Sequence, residues 1–168
     1  VIDPTKVGFR YRVEVLNRHT GEVVTSETVH NLMPDVGIHH ALDVLLNGAS
    51  QVTQWYLLPF GNNYTPQPTD TAATFPSLAG ELTAYAGATR PAIVTGAAAG
   101  GAVTNDANRV ELDFPATTTV QGAAIISTPT KGAAAGILLS AVKFASPKVV
   151  DPDSILRVLV GIEFASLS

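Results

Sequence analysis

Glu111 and Asp113 are the side chains in this sequence whose types and spacing come nearest to catalysis. Two residues apart on a strand, they share one face at ~7 Å, within the range that glycosidase carboxylates use. A plainer reading competes, because Val110, Leu112 and Phe114 alternate with them and make the two acids the solvent face of a half-buried strand. His39 and His40 are adjacent, about 100° apart around a helix, so they do not readily ligate one metal together. His39 can instead reach Asp35 or Asp43, and His40 can reach Asp43, as ordinary helix-surface pairs. Trp55, Tyr56 and Phe60 have the chemistry to stack on sugar rings, but an apolar run this dense reads as core. The glycine and alanine runs at 96–101 and 132–136 lack the Lys-Ser/Thr and following helix that phosphate binding needs. No nucleophile elbow, P-loop, dinucleotide fingerprint or zincin helix occurs in the sequence. Asn63-Tyr64-Thr65 matches a glycosylation sequon, which is read as a chance match. The expectation is a protein without catalytic residues, cofactor or metal.

Composition narrows the partners. With 168 residues and 17.5 kDa the chain is expected to form a single β-sandwich domain over 1–168, with 1–7 as a flexible N-terminal arm. It is 46% hydrophobic but only 14% charged. That is well below the usual ~25% charged, so part of its uncharged surface is expected to meet another protein. A net charge of -4 and a pI near 5.4 offer no field for phosphates, which argues against nucleic acid and anionic membranes as partners. Cysteine is absent, removing disulfides and thiolate metal sites. No run approaches the ~18 apolar residues of a membrane span, and Val1-Ile2-Asp3-Pro4 carries no export-signal pattern.

The elements that would position these residues are mainly strands. Around 34–46 the sequence predicts the one substantial helix: Pro34 and Asp35 suit its first turn, Asn47-Gly48 its stop, and Ile38, Leu42, Leu45 and Leu46 line one face at helical spacing. That face is expected to be buried on the sheet, with Leu42 at its centre. Gln54 to Phe60 is apolar on both pleat faces and is expected to be a central strand, covered by the helix on one side and a sheet on the other. Residues 9–16 alternate, with Phe9, Tyr11, Val13 and Val15 inward and Arg10, Arg12 and Glu14 outward; 22–30 returns as the second arm of a hairpin. The prolines in 61–77 predict a long surface loop, Ser77 a capped helical turn, and Pro91 an edge strand or a strand start. Further on, 109–114 and 117–127 read as strands. Leu138, Val142 and Phe144 are expected on one face of the next, and Leu156, Val158, Val160, Ile162 and Phe164 inward on the last. Roughly eight strands and one inserted helix make a mainly β protein, an antiparallel β-sandwich of jelly-roll type.

Several segments together resemble a known family. Asn31-Leu32, Ile38-His39-His40-Ala41-Leu42-Asp43-Val44-Leu45 and Trp55-Tyr56-Leu57-Leu58 come first, then Asn63-Tyr64-Thr65-Pro66, Phe75 and Glu81-Leu82-Thr83-Ala84-Tyr85. Thr89-Arg90-Pro91-Ala92, Phe114-Pro115-Ala116-Thr117 and Ser127-Thr128-Pro129-Thr130-Lys131-Gly132 continue the likeness. In this order they resemble the head decoration, or capsid cement, proteins of tailed bacteriophages. The resemblance implies a structural virion protein, made in the bacterial host cytoplasm and mounted on the outer surface of the capsid. Its implied partners are the major capsid protein and itself, as a homodimer ahead of a trimer. Candidate contacts are Arg10 and Arg12 on the first strand, Asn62, Asn63 and Tyr64 in the 61–77 loop, and Arg90. The runs 1–7, 96–101 and 132–136 are expected as mobile tips that order against a neighbour. The alternative is a tail-associated or receptor-binding module that recognises a host glycan through the 61–77 loop. An enzyme acting on cell-wall glycan would rest on Glu111 and Asp113.

Overall fold

The structure, a computed structural model, describes residues 8–163. The expected 1–7 arm and the inward Phe164 lie outside the described residues. In chain order the elements are β1 (Phe9–Asn17), β2 (Val23–His30), α1 (Asp35–Leu46), β3 (Trp55–Phe60), α2 (Phe75–Ala79) and β4 (Ala92–Ile93). They continue with β5 (Ala102–Thr104), β6 (Val110–Leu112), β7 (Thr118–Ile126), β8 (Leu138–Val150) and β9 (Ser154–Glu163). One sheet runs β2-β1-β9-β5, with β6 also paired to β9, and the other runs β4-β3-β7-β8. Every pairing is antiparallel, and the first and last strands lie side by side. Among the described residues the sandwich has nine strands, one more than the pattern predicted, because β5 forms just after the 96–101 run and joins the sheet opposite to that of β4.

Alternation explains the layer between the sheets. Tyr11, Val13 and Val15 of β1, Leu112 of β6, and Leu156, Val158 and Val160 of β9 meet Leu57 of β3, Ile125 of β7, and Val142 and Phe144 of β8. The β4-β3-β7-β8 sheet has a second core on its outer side, where Leu58, Phe60, Ala124, Ile126, Leu138 and Ala141 pack under Phe75, Ala79 and the partly buried Val36 and Tyr64. This is why β3 is apolar on both faces. Leu138 thus faces away from Val142 and Phe144, contrary to the even spacing of the three. The cause is a bulge: Ile125 pairs with Ser140 but Ile126 with Leu138, so Leu139 is an extra residue that reverses the side-chain order.

α1 begins and ends as expected, with Pro34 as its N-cap, Asp35 in its first turn and Asn47 as its C-cap. Its orientation is the reverse of the expected one. Ile38, Leu42, Leu45 and Leu46 are exposed, while Gly37 is the buried residue of the helix. Gly37 lies against the β8 backbone, where an added Cβ would come within 2.5 Å of the Leu139 carbonyl oxygen. Only a residue without a side chain permits that approach. With Gly37 down, Val36, His40 and Val44 are its half-buried neighbours and the leucine face points outward. α1 lies over β8, whereas the outer side of β3 is covered by α2, where Phe60 meets Phe75 edge to face.

Candidate functional site

The densest polar arrangement in the described residues is a buried lock between three remote segments. Arg90 is fully buried and grips Glu81 with two bonds, Nε to Oε1 at 2.8 Å and an η-nitrogen to Oε2 at 2.7 Å. Two further N–H groups donate to the carbonyls of Thr128 (2.8 Å) and Ala133 (3.1 Å), and Glu81 Oε2 also accepts the Gly132 N–H at 3.0 Å. The Glu81 side chain is buried although part of its backbone reaches the surface. Beside the pair, Lys131 Nζ donates to the carbonyls of Thr83, Tyr85 and Gly87 at 3.0, 2.7 and 2.6 Å and sits 3.6 Å from the Tyr85 ring centroid. The ammonium does here what a bound cation does elsewhere, gathering a turn's carbonyls over an aromatic face. Burial holds the Lys131 pKa below the ordinary lysine value and pushes the Tyr85 phenol up. Each partner of Arg90, Glu81 and Lys131 is a group of the fold itself, so this chemistry fastens loops together.

Arg90 is therefore not a surface contact. The 132–136 run is also corrected: Gly132, Ala133 and Ala135 are hydrogen-bonded to Glu81, Arg90 and Thr128, so this tip is tied to the body. The 96–101 run is a hairpin turn in which Ala99 and Ala102 exchange backbone bonds of 2.9 and 3.0 Å across Gly100 and Gly101, both at positive φ.

The outer face of the β2-β1-β9-β5 sheet carries the second arrangement. Glu14 of β1 and Glu111 of β6 stand directly opposite Arg157 of β9, one on each side. Arg157 bonds Glu111 at 2.8 Å and lies 3.7 Å from Glu14, which also takes Arg12 at 2.8 Å. Glu14 faces outward as its position in β1 requires, yet it is buried because the two arginines cover it. Asp113 is held by Arg18 in a two-pronged pair, which lowers its carboxyl pKa below the ordinary value and raises that of Arg18. A glycosidase acid needs a carboxyl raised toward neutrality. Glu111 and Asp113 each belong to a separate arginine, so the carboxylate pair considered from the sequence is a set of cross-strand ion pairs.

Of the other candidates, His39 is exposed and His40 packs edge-on against Trp55 at 5.9 Å between ring centroids. Asp43, the expected partner of both, accepts from Asn47 at 2.7 Å. Among the described residues no group of three or more His, Cys, Asp or Glu is placed to hold a metal, and no helix is long and apolar enough to cross a membrane. The 61–77 segment is not a loose loop. Asp70 is buried and accepts the Tyr64 hydroxyl and the Gln67 N–H, both at 2.7 Å, and that bond to Asp70 pushes the Tyr64 phenol up to about 12. Thr74, rather than Ser77, is the N-cap of α2.

Arg10, Arg12, Asn62 and Asn63 are exposed and Tyr64 is half-buried. Arg10 and Arg12 line a groove of about 660 Å³ on the outer face of the β1 sheet, with His30, Thr104 and Asp106 on its walls and Gly161 on its floor. Tyr64 packs on the outer core of the opposite sheet, so the structure puts the two groups of candidates on opposite sides of the sandwich. Sequence reasoning missed the Arg90 lock, although a signal was present. Between Arg18 and Arg109 the chain has a single Lys or Arg, and it is Arg90. No protein-family model matches the chain, and a search of curated proteins returns no match.

Proposed function

We propose that this protein is a structural virion protein of a tailed bacteriophage, a cement subunit that binds the outside of the capsid and bridges neighbouring major capsid subunits. It works by binding, without turnover. The sequence resemblance supplies the class. What carries the bridging role is the placement of the candidates, the exposed Arg10 and Arg12 over one sheet and the exposed Asn62 and Asn63 with the half-buried Tyr64 over the other, so that one subunit can touch two neighbours. On the outer face of the β1 sheet Arg10 pairs with Glu163 and Arg157 with Glu111 across strands, and Arg12 with Glu14 along β1, which leaves shape and weak polar contacts to hold the shell.

Bridging stabilises by mass action. A subunit that binds assembled shells but not dissociated ones contributes RT ln(1 + [L]/Kd), about 2.7 kcal/mol per site at a hundredfold excess over Kd, and many sites act at once. The test mixes purified protein with undecorated shells, images them, and compares rupture temperature and resistance to osmotic shock. Saturable binding with a raised rupture temperature is expected, weakened by Arg10→Glu with Arg12→Glu. Shells that never bind the protein, or that rupture at unchanged temperature, overturn the proposal. Retention on host cells would then favour the glycan-recognising tail module.

A further inference from the structure

α1 is apolar on two faces, and only one of them is covered. Val36, Gly37 and Val44 turn toward β8, while Ile38, Leu42, Leu45 and Leu46 are 40, 48, 74 and 75% exposed. At about 100° per residue these four side chains fall within an arc of about 100° on the side away from the sheet. A helix with apolar residues on two opposite faces is suited to lie between two layers. We propose that the second layer is another copy of this chain, and that two α1 helices pair antiparallel across a two-fold axis near Leu42. This rests on the proposed function and names a surface for the homodimer that the resemblance implies.

Two features favour a second copy over a foreign partner. The first is area: the four side chains expose roughly 400–500 Å² of apolar surface, already the size of the largest patch on a typical monomer. A standard interface buries about 800 Å² per partner, so the helix supplies more than half, and the exposed Ala41, Gly48 and Ala49 adjoin it. The second is charge. No Lys or Arg occurs between Arg18 and Arg90; Asp35 lies at the N-terminal end of the stripe itself, and the flank reads His39, Asp43. In an antiparallel pair like flank meets like flank, which brings His39 of each helix toward Asp43 of the other. Such reciprocity is what a two-fold interface requires.

The absence of cysteine makes the geometry testable in the full chain, since each introduced thiol is unique. The wild type should sediment as a dimer without shells. Under mild oxidation Leu42→Cys should link to itself, whereas Ile38→Cys and Leu46→Cys should link to each other in a mixture and not to themselves. Leu45→Glu with Leu46→Glu should weaken dimerisation about a hundredfold or more, with circular dichroism and melting of the monomer unchanged. A dimer that survives the double substitution places the interface elsewhere and overturns the proposal while leaving self-association intact. Leu46→Cys linking to itself overturns the antiparallel arrangement. A wild type that is monomeric in solution, yet loses shell binding on the double substitution, assigns the stripe to the capsid and overturns the proposal while sparing the cement reading.

Discussion

Replacing Arg90 removes the centre of the buried lock, and its size follows from the bonds it makes. Arg90→Met deletes two bonds to Glu81 and one each to the carbonyls of Thr128 and Ala133, and leaves the Glu81 carboxylate buried with only the Gly132 N–H as a partner. Breaking a buried ion pair from one side costs about 3–5 kcal/mol, chiefly through the charge left behind. Glu81→Leu strands Arg90 in the same way and should cost a similar amount. For a chain of this length each kcal/mol moves Tm by about 2–4 °C, so each single variant should melt about 6–20 °C lower. The double variant leaves no stranded charge. It loses only partners for backbone groups, at about 1–3 kcal/mol each where they stay dry, so its cost should fall well short of the sum of the singles. The assay is a double-mutant cycle from urea unfolding, with equal m-values as the check that one transition is compared throughout. Single variants costing under about 1 kcal/mol, or a cycle that is additive, would refute the claim that this pair is a dry lock.

Other outcomes follow from the same geometry. Leu42→Ala, expected from the sequence to open a core cavity, should change the stability of the monomer by no more than about 1 kcal/mol, whereas Leu58→Ala in the fully buried part of β3 should cost about 2–5; chemical denaturation of dilute protein compares them. Gly37→Val should displace α1 from β8, read as loss of far-ultraviolet helix signal with the strand signal kept. Tyr64 has a folded pKa raised from 10.0 to about 12, so the stability it contributes is complete below pH 10 and is lost as pH rises through about 12. Asp70→Asn should bring one tyrosine's ionisation to lower pH in an absorbance titration. Asp113 has a folded pKa lowered from 3.8, so its contribution is present above that value and disappears as pH falls below it. Arg18→Ala should remove that part of the acid-unfolding profile while leaving the alkaline part in place.

Strands were legible where one face meets water. In β1 and β9 the alternation of apolar and polar residues reports burial directly, and the observed cores follow it. β8 was harder to read because Leu138, Leu139, Ala141 and Val142 are all apolar, so either parity fits. The bulge that decides between them is fixed by pairing with β7 and not by β8's own residues. α1 failed for a related reason. A helix with two apolar sides yields two answers on a helical wheel, and Gly37 chose between them by offering the only approach close enough for the β8 carbonyls. The stronger apolar face is the outer one, and the absence of a side chain at Gly37 is the better guide to the inner one.

Arg90 shows how a single residue can be misplaced by a sound rule. An arginine beside a proline in a loop region ordinarily belongs to the surface, since burying its charge is unfavourable without a partner. Here the partner is nine residues away, but the carbonyls that complete the arrangement come from 128 and 133, which no local pattern announces. The segments 81–85, 89–92 and 127–132, quoted for their likeness to head decoration proteins, meet at this lock. Phe114 joins them edge to face on Tyr85, while Tyr64 and Phe75 meet in the same way across the outer core. Three of the segments that carry the resemblance thus fasten the sandwich, while 38–45 lies on the helix that leaves Ile38 and Leu42 exposed. Under the proposed function, recognition of a shell falls to side chains outside the lock, Arg10 and Arg12 over one sheet and Asn62 and Asn63 over the other; Asn63→Ala should weaken binding while the melting temperature stays unchanged, whereas Arg12→Glu should lower both, because it uncovers Glu14 and sets a second carboxylate beside it.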